Sequence, residues 1–186
     1  MINTHNFKRL LDAPGKTFLL LGPRGTGKST WLKKNLKPAL TIDLLHSDAF
    51  FRYKASPSAI RDDVAHLRAG DWVVVDEVQR VPDLLNEIHS LYESAGLHFA
   101  LTGSSARKLK RADANLLGGR ALRCDYFPLV WAEIEEPGLL SACIEFGTLP
   151  YVVSSTKAIP STEGGRASQI LFLRPWGLSR CLGVDS

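Results

Sequence analysis

Cysteine is scarce in this sequence. Its 186 residues include three cysteines, Cys124, Cys143 and Cys181, which lie far apart and form no Cys-x-x-Cys pair. A disulfide framework in a small domain needs a denser and even set, and a zinc knuckle needs closely spaced ligand pairs. The five histidines show no ligand spacing either. The sequence therefore indicates neither a disulfide framework nor a structural zinc site.

Long hydrophobic runs are also missing. The first 15 residues mix polar and charged side chains, and the first apolar run, residues 18–21, is too short for a signal peptide or a membrane span. Hydrophobic residues make up 45% and charged residues 23%, which is ordinary for a globular protein that folds in water. We expect a cytoplasmic chain with one α/β domain and a small appendage.

An excess of one charge sign is nearly absent, since the formal net charge is +4. The exception is the stretch from residue 107 to residue 123, in which one acid, Asp113, stands against the basic residues Arg107, Lys108, Lys110, Arg111, Arg120 and Arg123. Such a stretch is either a solvated basic face or a surface that contacts phosphate or nucleic acid. Both interpretations stay open from the sequence.

Apolar runs and turn signals alternate along the first two thirds of the chain. They predict strands over residues 17–21, 39–44, 72–75, 97–102 and 121–127, and helices over residues 6–11, 29–36, 57–69 and 82–94. The run over residues 72–75 is apolar without alternation, which is typical of a parallel strand covered on both faces. Alternating strands and helices predict a parallel sheet layered by helices, with ligands at the carboxyl ends of its strands.

A glycine-rich loop follows the first predicted strand and opens the first long helix. Glycines let backbone N–H groups turn toward phosphate oxygens, and the start of the helix adds its dipole. Lys28 is placed to reach the β- and γ-phosphates, and the Ser29 hydroxyl is placed to join the shell of Mg²⁺. The loop is therefore predicted to bind ATP as a P-loop, through Gly22, Pro23, Arg24, Gly25, Thr26, Gly27, Lys28, Ser29 and Thr30.

Two neighbouring carboxylates, Asp76 and Glu77, come directly after the apolar run at residues 72–75. A carboxylate at a strand end can hold Mg²⁺ through water, and a second one beside it can polarise a water that attacks the γ-phosphorus. We predict Asp76 and Ser29 as metal residues, and Glu77 and Lys28 as catalytic residues. The alternative is a polar pair that only caps the strand.

The fourth predicted strand ends in hydroxyl side chains, Thr102, Ser104 and Ser105. They would place a hydroxyl near the attacking water or the γ-phosphate if their strand lies between the first and the third in the sheet. Otherwise the segment is an ordinary serine-rich turn with a helix N-cap.

Charge that accumulates on the transferred phosphoryl group calls for an arginine, from this chain or from a neighbouring subunit. Arg107 and Arg120 are the predicted candidates, and Arg24, Arg80 and Arg123 stay open. For each of them the alternative is a surface or salt-bridged residue.

Together these blocks resemble a known family, the predicted prokaryotic AAA-type ATPases in which the ATPase domain precedes a C-terminal domain of unknown function. The resemblance rests on residues 22–29, 73–82, 101–109 and 117–120 in the family's order, and residues 127–129 and 146–150 extend it. It covers roughly residues 5–152 of the chain. It implies a P-loop NTPase fold of the AAA+ type, a three-layer α/β sandwich with a mainly parallel five-stranded sheet.

The resemblance also implies roles for individual residues. Lys28 and Ser29 would carry phosphate and Mg²⁺, Asp76 and Glu77 would serve the metal and the water, and Ser104 would act as a sensor. The resemblance implies ATP and Mg²⁺ as cofactors. It also implies an ATP-driven regulatory or remodelling protein, whose partner is another copy of the chain or another protein.

The last part of the chain departs from the family pattern, which usually continues through a sizeable helical domain. We expect a helical lead-in over residues 1–15, an ATPase domain over residues 16–128 and the start of a truncated C-terminal domain over residues 129–153. Residues 154–186 form an atypical tail with scattered serine, glycine and proline. A frameshift in the gene is our hypothesis for this tail, and a genuine short variant is the alternative.

Mg²⁺-dependent hydrolysis of ATP is the leading functional hypothesis from the sequence. Two alternatives are a nucleotide-binding switch with little hydrolysis and a nucleic-acid-dependent ATPase that uses the basic stretch. The second is weakened because no aromatic residue lies among those basic residues before Tyr126. A P-loop kinase for a small metabolite is a further alternative, which would require a second substrate pocket.

Overall fold

The computed structural model describes residues 7–104, 121–134, 143–145, 147–150, 152–153 and 181–182. These residues form the strands β1 (Phe18–Leu21), β2 (Leu40–Asp43), β3 (Trp72–Asp76), β4 (His98–Gly103), β5 (Leu122–Asp125) and β6 (Cys181–Leu182). They also form the helices α1 (Lys28–Asn35), α2 (Ser47–Ala55), α3 (Ala59–Val64) and α4 (Leu84–Ala95). Two short 3-10 helices, Val78–Arg80 and Trp131–Glu133, are also formed, and residues 143–145, 150 and 152–153 are helical.

The described strands form one sheet in the order β2-β3-β4-β1-β5-β6. The first five run parallel, and the two-residue β6 pairs antiparallel with β5. The predicted α/β fold with a mainly parallel five-stranded sheet is therefore confirmed, and β6 is a short addition at its edge. Because β4 lies between β3 and β1, the end of the Thr102 strand lies beside both the glycine-rich loop and Asp76.

The sheet is covered by apolar side chains on both faces, which gives three layers. Successive side chains of a strand point to opposite faces. In β1, Leu19 and Leu21 join the cluster that includes buried residues of α2, α3 and α4, whereas Phe18 and Leu20 join the cluster that includes Trp31 of α1. A third and smaller cluster follows β5 and consists of Leu129, Ile134, Cys143 and Val153, with Phe7 packed against it.

The region between β2 and β3 differs from the prediction. Ser56 ends α2 as its C-cap, whereas the sequence predicted that a helix begins at the next residue, Pro57. The helix that follows, α3, spans six residues and is shorter than the predicted 57–69. Proline is common just after a helix C-cap as well as at the first helical position, so the same signal fits both ends of a helix.

The predicted helix over residues 6–11 is not formed in its described part, residues 7–11. The backbone N–H of Leu10 donates instead to Glu133 Oε1 at 2.8 Å, and the side chain of Arg9 is drawn into buried contacts. These tertiary contacts use groups that a helix would hold in its own hydrogen-bond pattern, so local periodicity was a poor guide here.

Two further findings concern membrane-spanning helices and cysteine pairing. Among the described residues, no helix has the length and the apolar character needed to cross a bilayer. Cys124 is disulfide-bonded, which the cysteine spacing did not predict.

Candidate functional site

The glycine-rich loop joins β1 to α1, and its shape depends on three glycines. Gly25 and Gly27 have φ values of 80° and 88°, a region that other residues rarely adopt. A Cβ atom built on Gly22 would lie 1.9 Å from the carbonyl oxygen of Tyr126, so only glycine fits there. The loop is also tied internally, because Thr26 Oγ1 donates to the Pro23 carbonyl at 2.9 Å.

Lys28 begins α1 and turns its side chain back over the loop. Its Nζ donates to the carbonyls of Gly22 at 2.7 Å and Pro23 at 2.9 Å, and the residue is 6% exposed. Burial lowers the pKa of Lys28, while Glu77 and Asp76 act in the opposite direction. The ammonium group therefore lies at the helix N-terminus, within the loop that the sequence assigns to phosphate.

Ser29, Asp76 and Thr102 form a hydrogen-bonded chain that connects α1, β3 and β4. Ser29 Oγ donates to Asp76 Oδ2 at 2.5 Å, and Thr102 Oγ1 donates to Asp76 Oδ1. Thr102 Oγ1 in turn accepts the backbone N–H of Glu77 at 3.0 Å. Asp76 and Thr102 are buried, and the two carboxylate oxygens and the Glu77 N–H are fixed by hydroxyl groups from two other elements, α1 and β4.

Glu77 has a backbone conformation that is rare for its residue type. Its φ of 59° and ψ of 44° lie in the left-handed region, and among the described residues no other non-glycine residue has a positive φ. Such strained residues concentrate at functional sites, where the surrounding structure holds them in place. Glu77 is 6% exposed, and one of its carboxylate oxygens accepts a hydrogen bond from Gln79 Nε2.

The sequence over residues 14–135 matches the model of a family described as an AAA domain, which is more than half of the chain. The chain belongs to the AAA domain family. No curated protein matches the sequence. A solved structure titled as the P-loop NTPase domain of the sigma-54 transport activator from E. coli is similar at 13% identity, with a TM-score of 0.41 over 63% of this chain and 87% of that chain.

Membership of the AAA domain family supports nucleotide binding, and the donor set of the site can be compared with what Mg²⁺ needs. Ser29 and Asp76 offer a hydroxyl and a carboxylate 2.5 Å apart, both of them hard oxygen ligands. Among the described residues there is no cluster of three or more His, Cys, Asp or Glu side chains that would form a full protein cage. A Mg²⁺ ion in a nucleotide site uses one or two carboxylates and completes its shell with phosphate and water, so this donor set fits.

The predicted residues of this AAA domain fall into three groups. The structure brings Lys28, Ser29, Asp76, Glu77 and Ser104 to one edge of the sheet, together with the loop glycines. Pro23, Arg24 and Thr30 are exposed on the loop and on the first turn of α1. Arg107, Arg120 and Ser105 lie outside the described residues.

The arginines that the sequence left open are placed as follows. Arg80 donates to the Leu44 carbonyl at 2.6 Å and lies over the ring of Phe50, and Arg123 pairs with Asp125 at 3.0 Å. Both side chains are thus engaged by neighbours outside the loop. Arg24 lies close enough to Lys28 to help lower the pKa of that lysine.

Sequence reasoning missed a buried cluster behind the loop, which we call the Arg9 cluster: Arg9, Thr26, Tyr126, Phe127 and Glu133. Arg9 donates to the carbonyls of Thr26 at 2.9 Å and Phe127 at 2.5 Å, and its guanidinium lies 4.0 Å from the centre of the Tyr126 ring. Arg9 Nε and Glu133 Oε2 form an ion pair at 3.0 Å, but Nε itself makes no hydrogen bond within the described residues. The two side chains are 5% and 1% exposed.

The Arg9 cluster carries no local sequence signal, because its members come from separate parts of the chain. A second contact from beyond β5 lies nearby. A Cβ atom built on Gly25 would be 3.9 Å from the Leu149 methyl carbons, and one built on Gly27 would be 4.0 Å from Pro150 Cγ. The segment 147–150 therefore packs against the loop. The sequence signals that predict the loop do not predict this neighbour.

Proposed function

We propose that this AAA domain protein binds ATP and hydrolyses it to ADP and phosphate in a Mg²⁺-dependent reaction. The observation that carries the proposal is the chain of contacts from Ser29 through Asp76 and Thr102 to the backbone N–H of Glu77. This chain of contacts joins the loop assigned to phosphate to two carboxylates, Asp76 and Glu77. Asp76 accepts hydrogen bonds from Ser29 and Thr102, whereas Glu77 accepts one from Gln79. A hydrolase needs this proximity, since binding alone does not require a second carboxylate.

The loop and Lys28 account for substrate binding in this proposal. Backbone N–H groups at the start of α1 and the Lys28 ammonium group would contact the phosphates, aided by the helix dipole. The side chain of Lys28 would exchange the carbonyls of Gly22 and Pro23 for phosphate oxygens. A buried ammonium group needs hydrogen-bond acceptors, which the two carbonyl oxygens supply here. Phosphate oxygens are acceptors too, and their negative charge suits the ammonium group better.

Ser29 and Asp76 would hold Mg²⁺, which supplies charge neutralisation for the phosphates when it is bound. Glu77 would accept a proton from the attacking water, and its buried carboxylate is held by the left-handed backbone and by Gln79. Ser104, which accepts a hydrogen bond from Gln79, is placed to respond to the γ-phosphate. We propose Arg107 or Arg120 as the arginine that stabilises the charge of the transition state.

The work that hydrolysis drives is proposed to be a regulatory or remodelling step on a second copy or on another protein. Residues 16–128 would form the ATPase domain, and residues 129–153 would begin a second unit. The separate apolar cluster of Leu129, Ile134, Cys143 and Val153 supports this division.

The test measures phosphate release with ATP and Mg²⁺, with ATP and a chelator, and with the variant Lys28→Met. We expect release only in the first case, because the phosphate contacts and the metal are both required. Lys33→Met, on an exposed position of the same helix, is the matched control and should keep the wild-type rate. Release that is insensitive to both the chelator and Lys28→Met would overturn the proposal. ATP binding without release above background would favour a nucleotide-binding switch instead.

A further inference from the structure

Gln79 contacts both Glu77 and Ser104. It lies in the 3-10 helix Val78–Arg80, which starts directly after Glu77. Its Nε2 donates to Glu77 Oε2 and also to Ser104 Oγ, the latter at 3.2 Å. One carboxamide thus connects the carboxylate after β3 with the hydroxyl after β4.

The orientation of this carboxamide is imposed by Glu77. An ionised carboxylate only accepts hydrogen bonds, so the NH₂ group of Gln79 must face it and the amide oxygen must face away. That oxygen, Oε1, is buried and has no hydrogen-bond partner among the described residues. A buried acceptor without a donor is unfavourable, which indicates that the contacts made by the nitrogen decide the arrangement.

The local backbone explains why Gln79 faces Glu77. The left-handed conformation of Glu77 reverses the chain, and Arg80 N–H donates to the Glu77 carbonyl at 2.9 Å. Val78 is fully buried in the core on one side of Gln79, and Arg80 is held by the Leu44 carbonyl on the other. With both neighbours anchored, the side chain of Gln79 remains directed at the carboxylate and at Ser104.

We propose that Gln79 is a positioning residue for ATP hydrolysis, which fixes the Glu77 carboxylate and couples it to Ser104 at the end of β4. This inference rests on the proposed function. One oxygen of Glu77 is committed to Gln79, so the other is the one presented to the attacking water. A change at Ser104 when the γ-phosphate binds or leaves is transmitted to Glu77 through a single side chain.

The first experiment compares kcat, KM and the equilibrium affinity for ATP in the wild type and in Gln79→Ala. We expect kcat to fall by about 10- to 100-fold with KM and affinity unchanged, because a misplaced base slows the chemical step and leaves the phosphate contacts intact. Asn86→Ala removes an exposed carboxamide from α4 and is the matched control. It should leave kcat, KM and affinity at wild-type values.

A second pair of variants separates positioning from packing. Gln79→Met keeps about the size of the side chain but removes its N–H donors and adds no charge beside Glu77, so it should lose kcat about as strongly as Gln79→Ala while the thermal unfolding midpoint stays near that of the wild type. In the background of Glu77→Gln, adding Gln79→Ala should cause no further loss, since residues that act as a unit are not additive.

Three results would overturn the inference. The first is a kcat of either Gln79 variant within twofold of the wild type. The second is a loss of ATP affinity as large as the loss of kcat, which would make Gln79 a structural residue of the loop. The third is a further, multiplicative loss in the double variant. If the wild type itself releases no more phosphate than Glu77→Gln, the proposed function fails first, and that result is distinguishable because it does not involve Gln79.

Discussion

Ser29 and Asp76 are joined by a 2.5 Å hydrogen bond between Oγ and Oδ2, across 47 positions of sequence. The bond links the first turn of α1 to the last residue of β3, and parallel pairing of β3 with β4 and of β4 with β1 brings these ends together. Because the sheet order determines this proximity, the site depends on the fold as a whole and not on the loop alone.

Ser29→Ala removes the hydroxyl and leaves the loop backbone in place. We expect the affinity for ATP in the presence of Mg²⁺ to fall by about 10- to 100-fold, because the bound Mg²⁺ would lose one oxygen ligand, a loss comparable to that of a hydrogen bond to a charged group. The affinity measured in a chelator should change little. Titration of ATP with and without Mg²⁺ checks this, and Ser47→Ala, an exposed serine at the start of α2, is the control. Equal losses with and without Mg²⁺ would contradict the metal role of Ser29.

Thr102→Val keeps the shape of the side chain but deletes the hydroxyl that bridges Asp76 and the Glu77 N–H. We expect a loss of about 1–3 kcal/mol in the free energy of unfolding, because a buried donor and a buried acceptor lose their partner. The kcat should fall as well. Denaturant unfolding and phosphate release measure the two effects. Thr41→Val, at an exposed position of β2, should cost well under 1 kcal/mol by comparison, about the usual surface value.

Gly22→Ala adds one methyl group where a Cβ would meet the Tyr126 carbonyl oxygen at 1.9 Å. Backbone must move to accept it, so we expect a loss of about 3 kcal/mol in the free energy of unfolding, at the upper end of overpacking. ATP binding should be lost with it. Gly15→Ala is the control, since a Cβ there meets nothing within 4 Å. A Gly22→Ala protein with wild-type stability and ATP affinity would show that this close approach is unimportant.

Arg9→Ala removes the centre of the Arg9 cluster and leaves Glu133 buried without its partner. Breaking a buried ion pair in this way costs about 3–5 kcal/mol, and the Thr26 carbonyl of the loop loses its anchor, so ATP affinity should fall too. Arg61→Ala is the matched control. It breaks the 2.5 Å pair of Arg61 with Glu87, in which Arg61 is 54% exposed, and should cost less than about 1 kcal/mol. Similar losses in the free energy of unfolding for the two variants would contradict the conclusion that the buried Arg9 pair stabilises the fold more than an exposed pair does.

Much of the fold could be predicted from the sequence because the central strands are short apolar runs with clear ends. The run at residues 72–75 and the helix that ends at Gly96, with a φ of 64°, are examples. The helix α2 was not predicted because only Ala49, Phe50 and Tyr53 pack against the core, whereas Phe51 is 66% exposed. Tyr53 is the one buried residue of this nine-residue helix, so its helical period of apolar residues is too short to mark it.

The candidate site also contains residues that local sequence predicts and residues that it does not. Lys28, Ser29, Asp76 and Glu77 could be proposed from their positions at strand and helix ends, which local patterns reveal. The role of Gln79 could not, because it depends on the left-handed turn at Glu77 and on the approach of β4. Arg9 and Glu133 meet only after the chain has folded, and a lone arginine or glutamate carries no signal of its partner.

The catalytic role of Glu77 is measured by single-turnover hydrolysis of γ-labelled ATP by the wild type and by Glu77→Gln, both saturated with ATP and Mg²⁺. Glu77→Gln keeps the size of the side chain, so the two proteins should bind ATP equally. We expect the rate to fall by about 10²- to 10⁴-fold in Glu77→Gln, the usual contribution of a general base. Equal rates of hydrolysis in the two proteins, with ATP bound to both, would contradict it.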